Sequence, residues 1–444
     1  MKRIQVIDFL RGISILFMLF FHGSYYWDSL PSKNQMNLIL ANPFAGLALV
    51  LGKAAGIFAL ISGMSNAISM YSRMRSGKSK SLGVFLSGLV TGLWVILIGK
   101  IQVALFNHTM IGNAEFPYPD GPSEYSLIIG SIQTGQIQYP SVFTLIYKNT
   151  ALFAIGLSII CTGIVLALLG MREGHKYVKR NLIVIGVLAT TIICVTEPMK
   201  NLLRPIWYDA YINGQHSKGG LFSILIGDTY PFFPYIGYAL YGAMFGIAFS
   251  QELDRKKVAI VGSTAGALYL TVGSILLAIY GHPDSSEIFQ TLPTQWNFIQ
   301  IGFFIWLSTF CYYFHYSPEK SKVRKALHSK FIRRFGLITL TIFVFEPLVG
   351  TTIKELILDK IAPGWSTNPI FAFIYGFALI MLWFVFLKLW EKVKFKGTLE
   401  WINGKITSFL TRRDASRLDI VRNLYGEDYV PKVRKKKRVE IDAE

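Results

Sequence analysis

The chain has 444 residues, of which 52% are hydrophobic, 14% aromatic and only 16% charged, with a mean hydropathy of +0.42. Soluble domains carry about 25% charged residues, so this chain cannot cover a water-facing surface of its size. A cytosolic globular enzyme, a secreted disulfide scaffold and a disordered chain are excluded, and the net charge of +19 reads as basic loops kept on one side of a bilayer.

A helix needs roughly 20 apolar residues to cross the hydrocarbon. Runs of that kind lie near 9–30, 44–70, 82–106, 142–169, 181–197, 221–250, 258–280, 297–316, 335–357 and 369–390. They predict an all-α, polytopic membrane protein with about ten transmembrane helices. The first run is interrupted by Asp8 and Arg11 and is expected to stay as a span rather than be cleaved. The fifth stops at Pro198. The sixth contains Pro231 and Pro234 and is expected to begin with a broken or re-entrant piece. Cys161, Cys194 and Cys311 lie inside apolar runs and form no disulfide or metal pattern.

Orientation follows from the loops. With the N-terminus inside, 36 of the 45 Lys and Arg residues fall on the inner segments, as the positive-inside rule requires. Both termini are then cytoplasmic. The chain divides into a membrane domain, 1–390, and a basic tail, 391–444. In the tail Leu399, Ile402, Ile406 and Phe409 recur at helical spacing, which predicts an interfacial amphipathic helix. Six of the seven residues from Lys432 to Arg438 are basic, which fits anionic lipids better than nucleic acid.

Ionisable groups inside a bilayer are costly and mark function by default. The first span carries Asp8, Arg11 and His22. Eleven residues bring Arg11 and His22 within about 20° of one face, about 16 Å apart along the axis. Ser14, Met18 and Tyr25 continue that stripe. A fixed cation at the inner mouth and a titratable base deeper in suit a charged donor from the cytosol and an acceptor from outside. The alternative is that Arg11 snorkels and pairs with Asp8 while His22 bonds a neighbouring helix. Glu346, mid-span before Pro347, could orient an imidazole or pair with Lys53 or Lys100. Asp228 could hold an acceptor hydroxyl or cap the helix that follows. Glu197, His108, His216 and His315 lie at span ends, where water reaches them. No Walker loop, dinucleotide fingerprint, zinc helix or Cys-x-x-Cys is present.

Arg3-Ile4-x-x-Ile7-Asp8-x-x-Arg11-Gly12-Ile13-x-Ile15-x-x-Met18-x-x-x-His22 resembles the first helix of the transmembrane acyltransferase superfamily. That superfamily includes the heparan-α-glucosaminide N-acetyltransferase catalytic domain and the bacterial type 3 acyltransferases, whose hallmark is an Arg and a His separated by ten residues. Phe58-x-x-Ile61-Ser62-Gly63 is similar to the end of the family's second helix. Asp228-Thr229-Tyr230-Pro231-x-x-Pro234-x-x-Gly237, with Gly242 and Gly246, resembles an Asp-x-x-Pro-x-x-Pro-x-x-Gly helix of the heparan-type relatives. The stretch Gly336 to Pro347 is similar to a late segment of theirs but departs from it, because Glu346 falls near where many relatives carry a His. The resemblance covers about residues 3–350.

The resemblance implies that His22 is the catalytic histidine; Glu346 and Asp228 are further catalytic candidates from their own places in the spans. Arg11, Asp8, Arg73 and Arg75 are candidates for binding an acyl-CoA donor, acetyl-CoA in the first instance, at the cytosolic face. The cations of the 320–334 loop lie at that face too, or serve orientation alone. The expected reaction moves a short acyl group to an extracytoplasmic sugar or glycan acceptor at the cell membrane, with no metal. A polar-solute transporter or exporter using Glu346, Lys53 and Lys100, and a scaffold or sensor without chemistry, are the competing readings. Oligomeric state is left open.

Overall fold

Backbone polar groups in hydrocarbon must be satisfied within the segment, and an apolar chain does this by forming helices. The computed structural model describes residues 5–26, 55–107, 125–227, 230–281, 293–315, 329–410 and 424, and among these it contains helices and no strand. Helix α1, Gln5–His22, ends in a 3₁₀ turn, Gly23–Tyr26. Then come α2, Ala55–Arg75, and α3, Ser81–Phe106. Two short helices follow, α4, Leu127–Thr134, and α5, Val142–Tyr147. Next are α6, Ala151–Gly170, α7, Val178–Ile212, and α8, His216–Ile226. The chain continues through α9, Phe232–Ser250, α10, Arg255–Tyr280, and α11, Thr294–His315. It ends with α12, Lys330–Leu337, α13, Thr339–Ile353, α14, Pro369–Lys392, and α15, Leu399–Leu410.

Among the described residues, six helices are long and apolar enough to cross a membrane, and α12 with the helix after it makes a seventh if that bent pair is one span. The other three expected runs correspond to α1, α2 and α11, which are largely covered by protein. Their polar residues follow from that cover. Asp8, Gln295, Asn297 and Gln300 are buried, and Asn297 accepts a hydrogen bond from Tyr238 on α9. A helix sheathed by other helices tolerates polar side chains that lipid would not.

Two local expectations are corrected. The fifth run does not stop at Pro198: α7 carries Pro198 and Pro205 inside a helix of 35 residues. Each proline removes one bond of the ladder, and in an apolar setting the remaining groups have no better partner than the helix itself. The run 335–357 is not one straight helix either. Ile338 leaves the helical region (φ −130°, ψ 47°), and the pair bends by 85°. This break creates a helix N-terminus whose amides need acceptors. Glu400 on α15 supplies them, accepting from the Leu340 amide at 2.6 Å and the Thr341 hydroxyl at 2.6 Å. The amphipathic helix of the tail is thereby bonded to the membrane bundle. The sixth run is broken as expected, into α8 and α9, with Phe233 extended inside the first turn of α9.

The main core joins α1, α2, α6, α7, α9 and α11. A second cluster packs α1 against α12, α13 and α14 through Ile15, Leu19, Phe335, Ile342 and Trp383. That second cluster positions the site.

Candidate active site

Helix α1 meets the broken α12–α13 span twice. At its N-terminal end the two backbones touch: a methyl at Gly336 would overlap the Asp8 carbonyl, and one at Gly12 would overlap the Ile332 carbonyl. Asp8 is buried there at 2% exposure and interacts electrostatically with Arg333. Arg333 donates to the Leu424 carbonyl, and Arg334 pairs with Glu391 of α14 at 2.8 Å. These two arginines of the 320–334 region are thus built into the crossing. Lys322, Arg324 and Lys325 lie outside the described residues.

At the other end of α1, His22 Nδ1 lies 2.7 Å from Glu346 Oε2. The Tyr26 hydroxyl donates to Glu346 Oε1 at 3.0 Å. Glu346 is fully buried, whereas the His22 side chain is 22% exposed. The carboxylate therefore faces inward and the imidazole looks outward. With Glu346 ionised, the carboxylate only accepts, and Nδ1–H is then the donor, with Nε2 turned away from Glu346. The flanks of Glu346 are closed by protein. Val344 packs with Ile129 of α4 and with Val95 and Phe106 of α3, and Gln102 donates to the Phe343 carbonyl.

The remaining candidates are dispersed. Arg11 is half-buried at the far end of α1 from His22. Between them Ser14 and Met18 are 1% and 4% exposed, so this face is packed, not an open groove. The Tyr25 side chain lies outside the described residues. Arg73 donates to the Ser69 carbonyl and Arg75 to Gln251, both at the end of α2. Asp228 and Lys53 lie outside the described residues. Lys100 is not with Glu346: its ammonium is held by the Leu145 and Lys148 carbonyls and Asn149 at the end of α5. Glu197 accepts from Thr294, and His216 contacts the Tyr147 hydroxyl.

Tyr26, Gly350 and Tyr375 were not singled out in the sequence. A signal existed for the first two: Tyr26 follows His22 by four residues and Gly350 follows Glu346 by four, the spacing at which side chains share a helical face. Tyr375 carries no such mark, because its partner element is remote in sequence.

The catalytic-domain family described as heparan-alpha-glucosaminide N-acetyltransferase matches residues 3–282, more than half of the chain. No curated protein matches it. His22 and Tyr26 fall inside the matched region, while Glu346 and Tyr375 lie beyond it. With its apolar spans and a histidine at the end of the first helix, the chain belongs to the heparan-alpha-glucosaminide N-acetyltransferase catalytic family, a membrane acetyltransferase-type family.

Proposed function

We propose that this protein transfers an acetyl group from cytosolic acetyl-CoA to a sugar-like acceptor on the far side of the membrane, with His22 as general base. The single observation that carries the reading is the hydrogen bond between His22 Nδ1 and the buried Glu346 carboxylate, which leaves Nε2 as the base. The acceptor amine or hydroxyl gives its proton to Nε2 as its heteroatom bonds to the acyl carbon. The C–S bond breaks, and the CoA thiolate takes the proton from the imidazolium. Glu346 stays ionised throughout and stabilises that imidazolium.

The donor's phosphates would be held by Arg11, Arg73 and Arg75, since guanidinium forks suit phosphate. Asp8 orients the crossing that carries Arg11. Delivery of the thioester to His22 then requires the packed side chains between the two ends of α1 to give way. Asp228 would serve the acceptor. The remaining framework of this reading is ten spans with both termini cytoplasmic, residence in the cell membrane, and a tail, 391–444, lying on anionic lipid. A transporter reading loses Lys100, which is engaged at α5.

The test is His22→Ala in native membranes, assayed for acetyl transfer from acetyl-CoA to an α-glucosaminide. Transfer is expected to fall by about 10²–10⁴-fold with CoA binding retained; near-wild-type transfer would end the assignment.

A further inference from the structure

Glu346 has two carboxylate oxygens, and general-base chemistry at His22 uses only one. The other is taken by Tyr26, at 3.0 Å. Tyr26 is 3% exposed, and two features fix its ring. The Tyr375 ring of α14 stands edge-on to it, with centroids 5.2 Å apart and planes at 87°. Tyr375 is itself anchored, donating to the Gly350 carbonyl at 2.6 Å. Gly350 makes the space: a methyl there would overlap the Tyr26 hydroxyl oxygen. Two four-residue spacings therefore interlock. His22 and Tyr26 reach across from one chain segment, while Glu346 and Gly350 receive them on the other.

We propose that Tyr26 is a positioning residue for acetyl transfer, holding Oε1 of Glu346 through a slot left open by Gly350 so that Oε2 stays aimed at Nδ1 of His22. A carboxylate on a single hydrogen bond rotates about its last torsion, which is broad and roughly two-fold. A second, rigidly mounted donor removes that freedom. It also draws negative charge away from the oxygen facing His22, which tunes how strongly the pair holds a proton. Among the described residues, titratable groups facing Glu346 include His22 from α1, Tyr26 from the turn after it, and Tyr375 from α14.

This inference rests on His22 being the base, so three full-length variants are compared in membranes with acetyl-CoA and an α-glucosaminide. Tyr26→Phe keeps the ring and deletes the donor. Its kcat is expected to fall about tenfold to a hundredfold, the size of one charge-assisted hydrogen bond. KM for acetyl-CoA stays unchanged. The acid limb of the kcat profile moves to higher pH, because a carboxylate with one donor fewer stabilises the imidazolium more. Gly350→Ala places a methyl where the Tyr26 hydroxyl lies, so it should lose kcat per folded molecule while lowering the unfolding midpoint through overpacking. The double variant should be no slower than Gly350→Ala alone, since both remove one contact. Tyr26→Phe within twofold of wild type, or slowed with an unshifted profile and a matching loss of folded protein, overturns the proposal. Wild-type transfer by His22→Ala would instead overturn the underlying reading.

Discussion

The two places where α1 meets α12–α13 use the same elements in opposite ways. At the N-terminal crossing glycines bring backbones into contact, and the charges, Asp8, Arg333 and Arg334, are buried at 2%, 3% and 5% exposure. At the C-terminal meeting side chains do the joining, and one of them, His22, remains partly open. The first is a fixed joint: close packing holds the angle, and buried ions only have to be paired. The second holds an imidazole against a buried carboxylate while the imidazole stays partly exposed. A rigid joint at one end of a helix lets a polar contact at the other be held to the tolerance catalysis needs.

That contrast predicts variants that separate activity from stability. The largest effect is expected from Glu346→Ala, which leaves His22 without its orienting acceptor. Transfer per folded molecule should fall by about a thousandfold, with some loss of unfolding midpoint as the buried Tyr26 hydroxyl loses its carboxylate acceptor; a variant that unfolds but keeps its rate per folded molecule would erase the distinction between the two ends. Next comes Glu391→Ala, which takes the Glu391 carboxylate away from the buried Arg334 guanidinium. Removing one partner of a buried pair costs about 3–5 kcal/mol. Thermal unfolding should show it, and an unchanged midpoint would mean that the joint does not depend on the pair.

Gly336→Val should follow, destabilising by about 1–3 kcal/mol through overpacking against the Asp8 backbone. The rate per folded molecule should fall too if the joint sets the angle of α1. A loss of stability with the rate untouched would show that the two ends are uncoupled. The smallest effect is a control remote from both. Asp254 caps α10, accepting from the Lys256 and Lys257 amides. Those bonds, the Lys257 amide first, hold its carboxyl below the ordinary value. A depressed carboxyl contributes stability that is present above its ordinary value and is lost as pH falls through its folded value. Asp254→Ala should therefore lower the midpoint slightly near neutral pH, and the two melting curves should converge in acid. A gap that persisted in acid would contradict the capping role.

Much of the frame could be read from residue order. The apolar runs located the helices, because a span's length is fixed by the bilayer and the helical rise. His22 and Glu346 stood out because ionisable groups at such depth need a reason. Pro198 misled, since a proline removes one bond and the surrounding ladder carried α7 on to Ile212. The bend at Ile338 had no local mark. It is held by Glu400, 60 residues from the amide it caps, and no window of sequence contains both.

Sequence alone thus determined the medium, the helical class and the candidate ionisable residues, since each depends on composition or on spacings of a few residues. The tertiary structure decided which candidates act together. It set Glu346 against His22 across 324 residues and gave Lys100 to the end of α5. It packed Ser14 and Met18 away and brought in Tyr26 and Tyr375. Partnership between buried polar groups depends on which helix faces which, and at Gly336 and Gly350 it turned on the absence of a single methyl group.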